Sequence, residues 1–310
     1  MKRRNRRPAP PRRRSPLPPE HGLPGLELLE EISAHSLAKW RQAGRNLEQF
    51  SETLFFGLEA RRSRHSTELL DALRTSAQGP RTFDGWARLV DYQYANQPLS
   101  MEGSLRGDGG RFNVGRGLDP ATHTAFPALY VAEDFATAFR ERFGTDQTSI
   151  TGGLAAEELV LRRTTSFAQV ALNVHAETVM DVGDIQGLKP IAEILSRIQM
   201  PPGVGVLSRK LRLRPPGLVR TAAGLQRMLL HPNWRVDPVQ YGLPSSPQVF
   251  GRLCAAAGIH GILYPSARNN GKQCLALFPQ NWRGSGSFVE LVGPCPAGTA
   301  KRRLDGNFGD

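Results

Sequence analysis

An α+β fold is what this 310-residue sequence predicts. Three observations carry that expectation. Short apolar runs of strand length recur from residue 81 onward, and amphipathic stretches of helix length lie among them. The two kinds do not follow the regular β-α-β alternation of a doubly wound sheet. With 39% hydrophobic residues, the chain is long enough to bury one large domain or two smaller ones.

Residues 1–24 hold eight Lys/Arg, one acidic residue and seven prolines, a composition that cannot pack a core and is expected to be disordered. Such an arm either contacts nucleic acid or another anionic surface, or serves only as a solubilising tail. Residues 25–80 are expected as a helical accessory region, since Leu26, Leu29, Ile32, Leu37, Leu47, Phe50, Leu54, Phe55 and Leu58 recur near the helical period. Gly44 is expected to break it, and Gly79-Pro80 to stop a further short helix that begins near Thr67. Next come a strand at 86–90, a Gly-rich loop over 99–120 and an apolar strand at 128–132. Asp134 is placed to cap a helix running through Glu141. Strands at 158–163 and 167–174 and a helix at 191–198 follow. Pro201-Pro202-Gly203 and Pro215-Pro216-Gly217 punctuate a loop-rich insertion. A helix at 247–257 and strands at 261–264, 274–278 and 287–292 complete a domain over 81–293, and 294–310 reads as a C-terminal tail.

Lys and Arg total 40 against 28 Asp and Glu, a net charge of +12. The first 24 residues carry +7 of it, so the other 286 carry only +5, which weakens nucleic-acid binding as the role of the whole chain. The three cysteines, Cys254, Cys274 and Cys295, lack Cys-x-x-Cys spacing. Neither a disulfide framework nor a zinc cage is expected, and a reducing compartment is. No apolar run reaches the ~18 residues of a membrane span, and no apolar core follows the basic N-terminus as it would in a signal peptide. A soluble cytoplasmic protein without a membrane partner is the expectation.

Several chemistries are absent from the pattern. The stretch from Gly107 to Gly115 is neither a Walker loop nor a dinucleotide-binding glycine turn, and no His-Glu-x-x-His or Gly-x-Ser-x-Gly motif occurs. The seven histidines are scattered singly. What remains is a set of isolated polar residues. At about 100° per residue, Glu141 falls about 60° from Ala138, at the border of the face made by Phe135, Ala138 and Phe139. A carboxylate there is either half-buried and functional or simply solvated. Tyr130, inside an apolar strand, is either core or site. Ser266 begins the turn after Tyr264-Pro265 and either bonds a ligand or caps the turn. Arg111, just after two glycines, can bring a guanidinium to a phosphate with little steric hindrance.

Taken in order, these segments resemble the RES domain family, the toxins of bacterial RES–Xre toxin–antitoxin pairs. The resemblance covers about residues 81–292. Its motifs are an early Arg on a strand, here Arg88, then Gly109-Gly110-Arg111-Phe112-Asn113, and then the strand Leu129-Tyr130-Val131-Ala132. Glu141 follows on the next helix, and the late segment reads Tyr264-Pro265-Ser266-Ala267-Arg268, preceded by Ser245-Ser246-Pro247-Gln248. Where the family often places a Tyr after the early Arg, this chain has Leu89. The resemblance implies an ADP-ribosyltransferase-like mixed β-sheet core with flanking helices, to which this chain adds an N-terminal helical extension. It also implies NAD+ as substrate rather than recycled cofactor, with no metal. The nicotinamide–ribose bond is cleaved, and ADP-ribose passes to water or phosphate. Arg88, Tyr130, Glu141 and Ser266 are then the expected catalytic residues, with Arg111, Asn113 and Ser245 binding the dinucleotide. Arg88 and Arg111 suit the pyrophosphate, Tyr130 the nicotinamide ring, and Glu141 the ribose and its developing charge. Ser266 and Ser245 are expected as hydrogen-bond donors to substrate. An Xre-type antitoxin or another immunity protein is the implied partner. The rivals are a protein ADP-ribosyltransferase using the same site, a nucleic-acid-binding protein held by its basic tail, and a catalytically inert RES scaffold.

Overall fold

The computed structural model describes residues 34–120, 123–143, 167–213, 216–235 and 241–307. The expected arm at 1–24, the start of the helical region and the strand at 158–163 lie outside those residues. The chain divides into two compact units, 1–47 and 48–310. Helix α1 (Ala34–Arg62) runs through Gly44 without the expected break. A lone glycine costs a helix only about 1 kcal/mol, too little to end it. Within the second unit, Glu59 of α1 accepts from both Arg62 and Arg252, the latter at 2.9 Å to each carboxylate oxygen. Helix α2 (Ser66–Ser76) buries Leu69 and Leu73 completely in the main core, so it belongs to the body rather than to an accessory region.

The second unit is built on one eight-stranded sheet, in the order β4-β5-β6-β2-β1-β3-β7-β8. The strands are β1 (Arg81–Asp91), β2 (Leu129–Ala132), β3 (Phe167–Ala176), β4 (Val179–Asp181), β5 (Gly261–Pro265), β6 (Gln273–Leu277), β7 (Phe288–Val292) and β8 (Arg303–Asp305). β4 and β5 pair in parallel, and the other neighbours pair antiparallel. Among the described residues it also holds helices α3 (Phe135–Phe143), α4 (Ile185–Ser196), α5 (Val204–Leu211), α6 (Ala222–Leu229) and α7 (Ser246–Ala256). The α+β class and the mixed sheet with flanking helices therefore stand.

The differences from expectation have local causes. α4 begins before Pro190, because the Asp184 carboxylate accepts from Gln186 N–H at 2.9 Å and caps it there. Burial of Leu188, Ile191 and Ile194 offsets the amide that Pro190 lacks. The loop-rich insertion holds α5 and α6, two eight-residue helices whose short apolar faces are masked by flanking prolines and glycines. The segment at 294–310 is no simple tail: it returns as β8, which pairs with β7 and buries Leu304.

Alternation along the strands sorts the core into two layers. Ala132, Ile262, Tyr264, Cys274 and Ala276 face the helices with Leu69, Phe139, Leu188, Leu225 and Phe250. Leu129, Val131, Leu263, Leu275 and Leu277 face the other way, where they meet Leu172, Val174, Val289 and Leu304 from the opposite half of the sheet. His260, just before β5, bonds Ser287, just before β7, at 2.7 Å. Strands second and seventh in the order can approach so closely only if the sheet bends about this second layer. The hinge is the β1–β2 seam, where a single pair, Ala87 with Ala132, is in register.

Candidate active site

A cavity of about 830 Å³ opens at this seam, within the size range of small-molecule sites. Strand β1 supplies residues from Ala87 to Asp91, and β2 supplies residues from Tyr130 to Ala132. A β-bulge at Gly85, whose φ is +68°, shifts the strand phase so that Trp86 shares a face with Phe83. Where the ladder opens, the half-buried Arg88 fills the gap. Its guanidinium donates to Tyr130 O of β2 at 3.0 Å and to Ser100 O of the loop after β1 at 2.7 Å, tying that loop to the open seam. Burial and the nearby Arg142 lower its pKa to about 10, so it stays charged at neutral pH.

Glu141 enters from the last turn of α3. Its Oε1 accepts from Ser266 Oγ at 2.5 Å and from the Arg268 N–H at 3.3 Å. Ser266 is itself held where β5 ends, with its Oγ accepting from the N–H groups of Arg268 and Asn269 at 3.2 and 3.0 Å. That leaves its proton for the carboxylate. Asn269 bonds Thr137 Oγ1 at 2.7 Å, and Thr137 bonds the Asp134 cap, so the start of α3 and the β5–β6 turn are locked together. Beneath them, burial pushes the Tyr264 phenol and the Cys274 thiol upward, keeping both neutral.

The Gly-Gly-Arg-Phe-Asn loop forms another wall, tied from three directions. Tyr130 donates its hydroxyl to Asn113 Oδ1 and accepts from Phe112 N–H, both at 2.9 Å. Asn113 Nδ2 donates to Ser104 O and Phe126 O. Gln248, fully buried at the start of α7, donates to Asp108 O, Gly110 O and Asn113 O at 2.6, 3.2 and 3.1 Å. Ser245 caps that helix through the Gln248 side chain. Gly110 is obligatory here, because a Cβ would lie 2.4 Å from the Tyr130 hydroxyl. Arg111 emerges buried, donating to Leu229 O and His231 O at 3.1 and 3.0 Å, and burial lowers its pKa.

The structure therefore brings Arg88, Arg111, Tyr130 and Glu141 onto one cavity, with Ser266 one hydrogen bond behind Glu141. Asn113 and Ser245 do not line it. They are almost wholly buried, and their polar atoms hold the loop and the α7 cap. Ser266 likewise serves Glu141 directly. Residues without an assigned role in the sequence also line the cavity: Arg106, Arg142, Trp234, Arg235 and Arg268. Arg268 closes the late motif of the resemblance, whereas the isolated positions of the other four gave no signal. Asp91 neutralises Arg142 by a direct ion pair. The remaining arginines are anchored by carbonyls or, for Arg106, by the Tyr94 hydroxyl, so their charges stay available to an anion. Asp91 and Glu102 also line the cavity but are paired with arginines, and the anchored Glu141 among the remaining guanidinium groups suits a phosphate-bearing ligand that develops positive charge as it reacts.

Among solved structures, the chain is similar to the crystal structure of the M. tuberculosis MbcT–MbcA toxin–antitoxin complex, at 14% identity. The match covers 77% of this chain and 91% of that one, with a TM-score of 0.39. No curated protein matches the sequence. The family model of the RES domain matches residues 86–294, which take in the seam, the glycine loop, Glu141 and Ser266. The chain belongs to the RES domain family.

Proposed function

We propose that the protein is an NAD+-consuming toxin that cleaves the nicotinamide–ribose bond and transfers ADP-ribose to water or phosphate. The observation that carries this reading is Glu141, whose Oε1 is fixed by Ser266 at 2.5 Å inside a cavity that Arg88 and Arg111 also line. When nicotinamide leaves, the C1′–N bond breaks, its electron pair departs with the ring, and positive charge develops on the ribose. A carboxylate already oriented stabilises that charge without reorganisation. With Oε1 engaged, Oε2 is the oxygen directed at the ribose. Arg88 and Arg111 hold the pyrophosphate, and Tyr130 contributes its ring to the wall. The acceptor oxygen then bonds C1′ and releases its proton to solvent. An Xre-type antitoxin or another immunity protein is the partner this reading calls for.

Incubating the purified chain with NAD+, with and without phosphate, tests it. Nicotinamide should be released, and Glu141→Gln should slow release by about 10²–10³-fold. Stimulation by phosphate would identify the acceptor. Full turnover by Glu141→Gln removes the residue from the mechanism. Release only on addition of a protein acceptor would make the enzyme a protein ADP-ribosyltransferase.

A further inference from the structure

Glu141 keeps one orientation only if α3 and the turn after β5 hold a fixed register. Within that turn, Ser266 N–H donates to Lys272 O at 2.8 Å and Lys272 N–H donates to Asn269 O at 3.1 Å. The half-buried Asn269 then ties both ends of its amide to α3. Its Nδ2 donates to Thr137 Oγ1 at 2.7 Å, and its Oδ1 accepts from the Arg140 guanidinium at 2.9 Å. Thr137, Arg140 and Glu141 share an arc of about 100° on the helix, so the groups that Asn269 grips stand beside the carboxylate. The Asn269 main-chain N–H meanwhile donates at 3.0 Å to Ser266 Oγ, the oxygen whose proton goes to Glu141. One residue thus reaches both members of the Ser266–Glu141 pair.

The polarity of these bonds is fixed. Thr137 Oγ1 donates its proton to the Asp134 carboxylate, so toward Asn269 it can only accept, and Arg140 can only donate. Asparagine supplies the one donor and the one acceptor that those places require. We propose that Asn269 is a positioning residue for the reaction, holding Ser266 and α3 so that Glu141 meets the ribose in a single orientation. Asn269 does not line the cavity and touches no substrate, so it acts only through the pair it holds. The inference rests on the reading of the cavity as an NAD+-cleaving site and deepens it. Lys272 provides the contrast. Its ammonium joins the same two elements, meeting Glu133 at 2.9 Å and Asp134 at 3.0 Å, but reaches neither Ser266 nor Asn269.

The test follows nicotinamide release from NAD+ by the full-length protein and its variants, each held below its unfolding transition. Asn269→Ala should lower kcat about tenfold with KM nearly unchanged, whereas Lys272→Ala should leave both constants as they are. Thr137→Val keeps the side-chain shape and deletes the acceptor for Asn269, so it should also lower kcat, and it carries the test if Asn269→Ala does not fold. In a Glu141→Gln background, Asn269→Ala should change release less than about twofold, because no carboxylate is left to orient. Unchanged kcat in both Asn269→Ala and Thr137→Val overturns the inference. A loss just as large in the Glu141→Gln background, or one that Lys272→Ala reproduces, makes Asn269 merely structural and also overturns it. Turnover that needs Glu141 but ignores Asn269 sinks the inference and spares the function, whereas no nicotinamide from the unaltered protein sinks both.

Discussion

The two edges of β1 are opposites. Along one, β1 and β3 pair from Arg81–Ala176 to Asp91–Phe167, interrupted only by the bulge before Trp86. Along the other, β1 meets β2 at Ala87–Ala132 alone, and a guanidinium stands where further ladder bonds would be. Apolar side chains such as Trp86 and Leu172 follow the closed edge, while Arg88 and Tyr130 mark the open one. A continuous sheet has no room for a ligand between its strands. This sheet gains a cavity by giving up backbone pairing at one seam, and a charged side chain satisfies a carbonyl left there. Stability and chemistry are thereby assigned to different edges of a single strand.

Separate substitutions should pull those assignments apart. On the closed edge, Leu172→Ala empties a fully buried position and should cost about 2–5 kcal/mol in denaturant unfolding, with kcat/KM unchanged below the transition. A selective loss of activity would show that the closed edge also shapes the cavity. At the open edge, Arg88→Met should lower kcat/KM about tenfold or more while costing only about 1–3 kcal/mol of stability. Unchanged kcat/KM with lost stability would reduce Arg88 to a tie across the seam.

The smallest effect concerns the far end of the bent sheet, where His260 bonds Ser287. Burial lowers the pKa of His260 from its ordinary 6.5, and burial also lowers that of His123. The unfolded chain therefore binds protons that the folded one refuses. Stability held above pH 6.5 should fall as pH drops through the lowered folded values. Tm measured from pH 7.5 downward should decline, and His260→Gln should flatten part of that decline. A Tm independent of pH across this range would count against the burial of these rings.

Much of this organisation was already legible in the residues. The strand carrying Tyr130, the helix carrying Glu141 and the turn at Ser266 each have a local signature of apolar run, cap or breaker, and the ordered set pointed to the family. The helices at Val204–Leu211 and Ala222–Leu229 were illegible, since eight residues between proline-glycine clusters give too short a period to detect. Strand β8 was hidden for a related reason: three residues become a strand only because β7 offers them an edge.

Residue chemistry alone therefore determined the class of fold, the order of its motifs and the charged groups available for a phosphate ligand. Which of those groups share a cavity was decided only by tertiary structure. Ser266 and Glu141 are 125 positions apart, and the turn after β5 brings them to 2.5 Å. Asn113 and Ser245 looked equally suited to a ligand, yet packing turned both inward to hold a loop. Trp234 and Arg235 line the cavity where Arg111 holds the end of α6 and the turn after it, through Leu229 O and His231 O. Local sequence sets what a residue can bond. Long-range packing sets what it meets, because desolvation obliges every buried polar atom to find its partner within the fold.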